Sequence, residues 1–244
     1  DAALETSFAN AAQISVSYCE PWANRAAPWK ALKWMFDKEA PLLLRPQLDW
    51  EQWRWCLKFL AQCNDTAFER NVQQIVALGA YSHAALKDVV RATGIQYHRL
   101  ECGIAHFYSD QKSLDEAGHA VEVMRKFGVQ RRLVSRAELL QIEPAFSAYG
   151  ERITGGTYTS TDESGDARLF TQQLARRCAE RGAQFLYGHD VLRLNKTGNT
   201  IDSVAVSAIQ SGATVQKHSI LKGDAIVVAC GSYSASLLRS VGVD

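Results

Sequence analysis

The longest regular pattern in the chain is helical. Val72, Ile75, Val76, Gly79, His83, Leu86 and Val90 recur at a spacing close to 3.6 residues and so share one face of a helix. Thr66 and Glu69 read as a T-x-x-E capping box that opens this helix, and Gly94 as the residue that stops it. An apolar face of that length requires other elements to cover it. His83 lies within the stripe, which predicts a packed or hydrogen-bonded side chain rather than a metal ligand.

The 244 residues are 47% hydrophobic and 22% charged, enough for a real core in one large or two modest domains. With 27 basic against 26 acidic residues and no basic stripe, a nucleic-acid partner has no support. Cys19, Cys56, Cys63, Cys102, Cys178 and Cys230 form no C-x-x-C pair and read as reduced thiols of a cytosolic protein. The histidines make no H-x-x-x-H or H-E-x-x-H, so no metal site is expected, and no serine sits in a G-x-S-x-G elbow. The longest apolar runs, "PLLL" and "AIVVAC", fall far short of the roughly 18 residues that span a bilayer. The start carries no signal-peptide pattern and no initiating Met, and the end falls where a helix is due, so the sequence reads as an internal piece of a longer chain.

Around the long helix the pattern is mixed. All six tryptophans fall between Trp22 and Trp55, in "WKALKWMFDKEAPLLLRP" and "WEQWRWCLKFLAQC", which read as short helices around Pro41 and Pro46. Their first reading is a subdomain core; a membrane-surface patch, with Trp beside Lys and Arg, and a partner surface are the alternatives. "IQYHRLECGIAHFYSD" predicts two strands broken near Cys102 and Gly103. Leu114, Ala117, Val121 and Met124 predict a helix ended by Gly128. "VQRRLVS" predicts a strand, and Ser135 with Glu138 a second capping box before a short helix that Pro144 stops. From "ITGGTYTS" to "QFLYG" the order strand, loop, helix, strand suggests a βαβ unit, with Asp166 as helix cap and Phe170, Leu174 and Cys178 as its stripe. A hairpin turn is expected at 195–199.

Two stretches invite a chemical reading. In "DAIVVACGSYSASLLRSVG" a buried strand, a glycine turn at Gly231 and a helix start follow one another, an arrangement that presents backbone N–H groups to an anion. In "TDESGD", Thr161 to Asp166, three acids stand before a helix, where capping is the favoured reading. Yet the chain holds no G-x-G-x-x-G and no Walker loop.

Taken in order, "ALETSFANAAQISVSYCEPWA", "WKALKWMF", "TGGTYTSTDESGDARLFTQQLA" and "VVACGSYSASLL" resemble the FAD-dependent D-amino-acid dehydrogenases of small-subunit type, within the D-amino-acid oxidase and glycine oxidase family. The resemblance covers essentially the whole chain. It implies an α/β fold of α+β character: a partial FAD-binding Rossmann-like domain at 1–20 and 149–244, and a substrate domain at 21–148 with an antiparallel or mixed sheet and helices. It implies oxidation of a D-amino acid to a 2-oxo acid and ammonia by hydride transfer to flavin N5. Electrons would pass to quinone and the respiratory chain, so the enzyme would be cytoplasmic and peripheral on the inner membrane. A glycine- or sarcosine-type oxidase using oxygen, and a flavin-free interaction or membrane-surface module, are the alternatives. By the same resemblance the dinucleotide motif precedes "ALETS" and further sheet follows Asp244. FAD contacts would then fall on Ser7, Asn10, Ala11 and Gln13, on Val191, and on Ala229, Gly231 and Ser232, and substrate contacts on His106 and Tyr108. The family carries glycine where this chain has Ala12 and Cys102, and often glutamine in place of His106. No acid–base residue is named.

Overall fold

The computed structural model describes residues 2–34, 47–209 and 218–243. They fall into two compact units, Ala2–Arg177 and Cys178–Asp244.

In the first unit a two-residue strand, β1 (Gln13–Ile14), runs into a 3-10 turn at Val16–Tyr18. Two helices follow, α1 (Ala27–Trp34) and α2 (Trp50–Ala61), the latter opened by Asp49, whose carboxylate accepts from the Glu51 N–H at 2.9 Å. The long stripe forms α3 (Asp65–Thr93), ended by Gly94 at φ +64°. Its cap differs from the expected one: Asn64 Oδ1 accepts from the Ala67 N–H at 2.9 Å, and Thr66 lies inside the first turn. Asparagine is among the strongest N-cap residues and ranks above threonine there. Then come β2 (Ile104–Tyr108), α4 (Gln111–Arg125), β3 (Arg132–Ser135), α5 (Arg136–Ile142), a 3-10 stretch at Pro144–Arg152, β4 (Gly155–Thr159), β5 (Glu163–Ser164) and α6 (Ala167–Glu180). The predicted caps at Ser135 and Asp166 form, accepting from Glu138 N–H at 3.2 Å and Leu169 N–H at 2.8 Å.

β4 is the centre of an antiparallel sheet ordered β2-β4-β3, with His106 opposite Thr157 and Tyr108 opposite Gly155. Side chains two apart on a strand share a face, so His106 and Tyr108 lie on the same side as Thr157. β1 and β5 make a short antiparallel ribbon, Gln13 opposite Ser164 and Ile14 opposite Glu163. Of the strand expected before Cys102, only a single bridge between Leu100 and Ser164 forms, and Gly103 turns the chain at φ +75°. The core has two parts. Val72 and Val76 of α3 pack on Val123 and Met124 of α4, and Val134, Leu139 and Ile153 pack together beside Ala105 and Tyr158.

The second unit holds an antiparallel meander, β6 (His189–Thr197), β7 (Thr200–Ala208) and β8 (His218–Lys222), with Leu194, Ala205 and Val206 buried. A tight turn with Gly198 at φ +61° joins β6 to β7, where the hairpin was expected. A 3-10 turn at Gly231–Tyr233 leads into α7 (Ser234–Arg239).

Further expectations are corrected. "QFLYG" and "AIVVAC" carry no strand, and every described sheet is antiparallel, so the βαβ unit is not formed. Apolar runs become strands only when a ladder satisfies their amides, and no described residue supplies one; Val227 is 88% exposed. Among the described residues the tryptophans form no core: Trp22, Trp29 and Trp50 are more than 70% exposed, and neither α1 nor α2 has a buried residue. The part of that segment from Met35 to Pro46, with Pro41, lies outside the described residues. Of the acids in "TDESGD", only Asp166 caps a helix. Among the described residues no helix is long and apolar enough to cross a membrane.

Candidate functional site

The loop before β1 is shaped by its own side chains. Asn10 Oδ1 accepts from the Ala12 N–H at 2.8 Å, while its amide donates to the Thr6 carbonyl at 3.1 Å. This Asx turn holds Ala12 at φ +55°, a left-handed conformation that disfavours a Cβ. The Gly165 N–H then donates to the Ala12 carbonyl at 2.8 Å, seating the loop against the entrance to α6. A Cβ at Gly165 would overlap the Tyr97 ring, so the close approach depends on glycine. Arg168 lies over the Phe8 ring at 4.6 Å and holds the outer end of the loop.

Two adjoining clefts result. One, about 420 Å³, lies between Ser7–Ala12 and Ser164–Ala167; the other, about 260 Å³, is lined by Asn10–Ile14, Tyr97 and Phe170. The Tyr97 hydroxyl is buried with no partner among the described residues. Burial raises its pKa, so it stays a neutral donor.

The acids of "TDESGD" anchor this arrangement from below. Asp162 is buried and accepts from Ser15 Oγ at 2.7 Å, from the Ser17 N–H at 3.3 Å and from Ser17 Oγ. Its neighbour Glu163, also buried, meets three nitrogens: Arg99 Nε at 2.5 Å, His83 Nε2 at 2.7 Å and Lys87 Nζ at 2.8 Å. Burial opposes the Glu163 charge, but the hydrogen bonds from Arg99, Lys87 and His83 prevail and lower its pKa to about 2. His83 and Lys87 are one turn apart on α3, so Glu163 ties that helix to the β1–β5 ribbon. His83 is thus hydrogen-bonded, as its place in the stripe suggests.

On the β2 face a third group assembles. The Tyr18 ring stacks on His106, centroids 4.7 Å apart. Arg131, 3% exposed, donates from Nε to Thr157 Oγ1 at 3.2 Å, from Nη1 to Glu20 Oε1 at 2.9 Å and from Nη2 to Tyr108 Oη at 3.1 Å, with its guanidinium 5.2 Å from the Tyr18 ring. His106 Nε2 is buried without a partner among the described residues. Burial first, and Arg131 second, lower the His106 pKa, so it is a neutral imidazole at neutral pH.

The structure therefore brings Ser7, Asn10, Ala11 and Gln13 to the paired clefts, and puts His106 and Tyr108 side by side on β2. Val191 on β6, Ala229, Gly231 and Ser232 belong to the second unit. There Ser234 Oγ accepts from the Cys230 N–H at 3.0 Å. Among the described residues no three His, Cys, Asp or Glu side chains converge as for a metal ion.

A family model described as DAO, FAD dependent oxidoreductase, matches residues 1–244. The chain belongs to this family. Curated D-amino acid dehydrogenases are similar to it: that of Dechloromonas aromatica is 43% identical over 239 residues, 98% of this chain and 56% of that protein. That of Granulibacter bethesdensis is 38% identical over 240 residues, 98% of this chain and 55% of that protein. The chain thus spans about half the length of these relatives. Glycine oxidase from Geobacillus kaustophilus superposes with a TM-score of 0.58 at 17% identity, over 98% of this chain and 48% of that one. Glycine oxidase from Bacillus cereus gives 0.56 at 22% identity, over 68% and 43%. At these identities the likeness is one of fold, and it agrees with the α/β class expected from the sequence.

Within this FAD-dependent oxidoreductase family member, the clefts suit part of a flavin nucleotide. Ala9, Ala11 and Ala12 put only methyl groups on the cleft walls, and Tyr97, whose buried hydroxyl has no partner among the described residues, lines the smaller cleft. Reading the sequence missed Asp162, Glu163, Arg99 and Arg131, because each partner lies far away in the chain. The one local signal was three acids where a helix needs a single cap.

Proposed function

We propose that the protein oxidises D-amino acids such as D-alanine to 2-oxo acids and ammonia. The observation that carries this reading is the clefted loop at Asn10–Gln13, with Ala12 in the left-handed region, in a chain 43% identical to a D-amino acid dehydrogenase. Bound FAD would supply the acceptor for the hydride leaving the substrate α carbon. The chain's part is to bind and orient. Ser7, Asn10, Ala11 and Gln13 line the flavin cleft, with Tyr97 as a further donor. His106 and Tyr108 face the substrate, and the 21–148 region is the substrate domain between the FAD-domain segments 1–20 and 149–244. Val191, Ala229, Gly231 and Ser232 are assigned to FAD on the family resemblance alone.

The acceptor we infer is a quinone of the respiratory chain, reached from the cytoplasmic side of the inner membrane. Exposed Trp22, Trp29 and Trp50, with Lys30, Lys33 and Arg54 nearby in sequence, support a surface of that kind.

The complete gene product, gently purified, is expected to be yellow, and its flavin band to bleach anaerobically with D-alanine. In air it should yield little peroxide against turnover with a quinone analogue. A colourless protein, or a yellow one indifferent to every D-amino acid, defeats the proposal. Stoichiometric peroxide would replace the dehydrogenase by an oxygen-using oxidase.

A further inference from the structure

We propose that a third cleft, at the other end of the β1–β5 ribbon from the flavin clefts, is the seat of the electron acceptor and takes the headgroup of a quinone. This rests on the reading of the protein as a quinone-linked dehydrogenase, and it adds the residues that hold the acceptor. The cleft, about 350 Å³, lies between α3, the turn after α4 and the residues leading into β5. Asn10–Ile14 and Ser164–Ala167 line the flavin clefts, whereas Val16, Ser17, Thr161 and Asp162 line this one. Ile14 and Val16, like Asp162 and Ser164, are two residues apart, at most about 7 Å at the rise of a strand. Two molecules in these sites are close enough to exchange electrons without sharing a space.

The lining suits a flat, neutral ring with oxygen acceptors. Val76, Ala80 and Ala84 recur every fourth residue, so α3 presents one row of small side chains to the cleft. Opposite them Gly128, at φ +85°, turns the chain so that Phe127, Val129 and Gln130 all line it, with Phe127 and Val129 packed from behind on the Val72–Met124 core. The Gln130 amide and the Thr161 hydroxyl have no side-chain partner among the described residues, and both are donors that a quinone carbonyl accepts from. The charged groups on the lining are already engaged. Lys87 is held by Glu163 at 2.8 Å, and Asp162 by the hydroxyls of Ser15 and Ser17. A carboxylate or an amine therefore finds no free counter-ion here, which separates this cleft from a substrate site. A few donors set in an apolar wall are the usual make-up of a small-molecule site, and the volume lies at the lower end of their range.

In the net reaction a D-amino acid loses a hydride and a proton to become the 2-imino acid, and the quinone gains two electrons and two protons to become the quinol. The test separates these halves in the complete, flavin-loaded gene product. Calorimetric affinity for ubiquinone-1 needs no turnover, and the rate of anaerobic flavin bleaching by D-alanine needs no quinone. Ala80→Phe puts a ring into the cleft from an exposed helix position. It should raise the ubiquinone-1 Kd and the KM for ubiquinone-1 at least about tenfold, with the bleaching rate and the KM for D-alanine within about twofold. Gln130→Leu, an exposed side chain in a turn, should raise the same Kd about fivefold, the loss of one neutral hydrogen bond. It also serves if Ala80→Phe does not fold. Leu78→Phe, on the same helix but outside the cleft, should change neither readout.

Unchanged ubiquinone-1 affinity in a folded Ala80→Phe or in Gln130→Leu overturns the inference. So does an equal loss in Leu78→Phe, or a fall in bleaching rate that matches the loss of quinone affinity, since either marks a general disturbance of the fold. A protein whose ubiquinone-1 affinity answers to Ala80 and Gln130, but whose flavin no D-amino acid bleaches, keeps this inference and removes the proposed substrate. One that D-alanine bleaches, and that binds ubiquinone-1 with no regard to either residue, does the reverse.

Discussion

Two regions of the first unit invert the usual placement of residues. From Trp22 to Leu60 the chain is rich in tryptophan and leucine, yet among the described residues α1 and α2 bury none. At Asp162–Glu163 two adjacent acids are almost completely buried. What separates them is partnership. The acids are enclosed because hydroxyls, an amide, two cations and an imidazole satisfy every oxygen, whereas Trp22, Trp29 and Trp50 stay more than 70% exposed. Burial follows the supply of partners more closely than it follows residue polarity.

The largest effect should come from breaking the better-partnered of the two. Glu163→Gln leaves Arg99, Lys87 and His83 around a neutral amide and should cost about 3 kcal/mol in urea unfolding. The acid limb should change with it. The Glu163 pKa is lowered from 4.5 to about 2 in the fold, so its stabilisation is complete above the unfolded pKa and is lost as pH falls from 4.5 towards 2, about 3 kcal/mol in all. A urea series over that range should show the loss in the parent chain and a flatter profile in Glu163→Gln. Asp162→Asn removes the charge and turns the oxygen that accepts from the Ser15 and Ser17 hydroxyls into an amide donor, and should cost about 2 kcal/mol, read in the same way.

A smaller change of opposite sign is expected at the loop above the acids. Ala12→Gly relieves the left-handed backbone and, after the extra freedom it gives the unfolded chain, should stabilise by about 0.5 kcal/mol. At the exposed end of the comparison, Trp29→Ser and Trp50→Ser should change stability by less than about 0.5 kcal/mol. Their expected effect is on co-sedimentation of the complete gene product with anionic liposomes, which should fall. A loss of stability of several kcal/mol would show instead that the indoles are covered in the native protein.

What the sequence disclosed was mostly local. The extent of α3, the stripe of α4, the Ser135 and Asp166 caps and the β6–β7 hairpin all rest on residues within a few positions of one another. The Asn64 cap was misplaced by a competing Thr-x-x-Glu pattern two residues on. Ala225–Cys230 and 184–188 looked like strands because apolar runs say nothing about whether a ladder partner is present. In the candidate site, the loop at Ser7–Gln13 and the strand carrying His106 and Tyr108 were reached through resemblance. Arg131, Arg99, Asp162 and Glu163 were not reached, since Ser15 and Ser17 lie some 145 residues from the acid they hold.

α3 also has a mechanical side. At 1.5 Å per residue its 29 residues make a rod about 43 Å long, clamped at two points of different kind. Its N-terminal half is gripped by the apolar contacts of Val72 and Val76, and its C-terminal half by the ionic grip of His83 and Lys87 on Glu163. A rod held at two points resists tilting, and turning it by a single residue would swing both His83 and Lys87 out of register. High salt loosens only the far clamp and cold loosens only the near one, so the two ends of the same helix answer to different stresses.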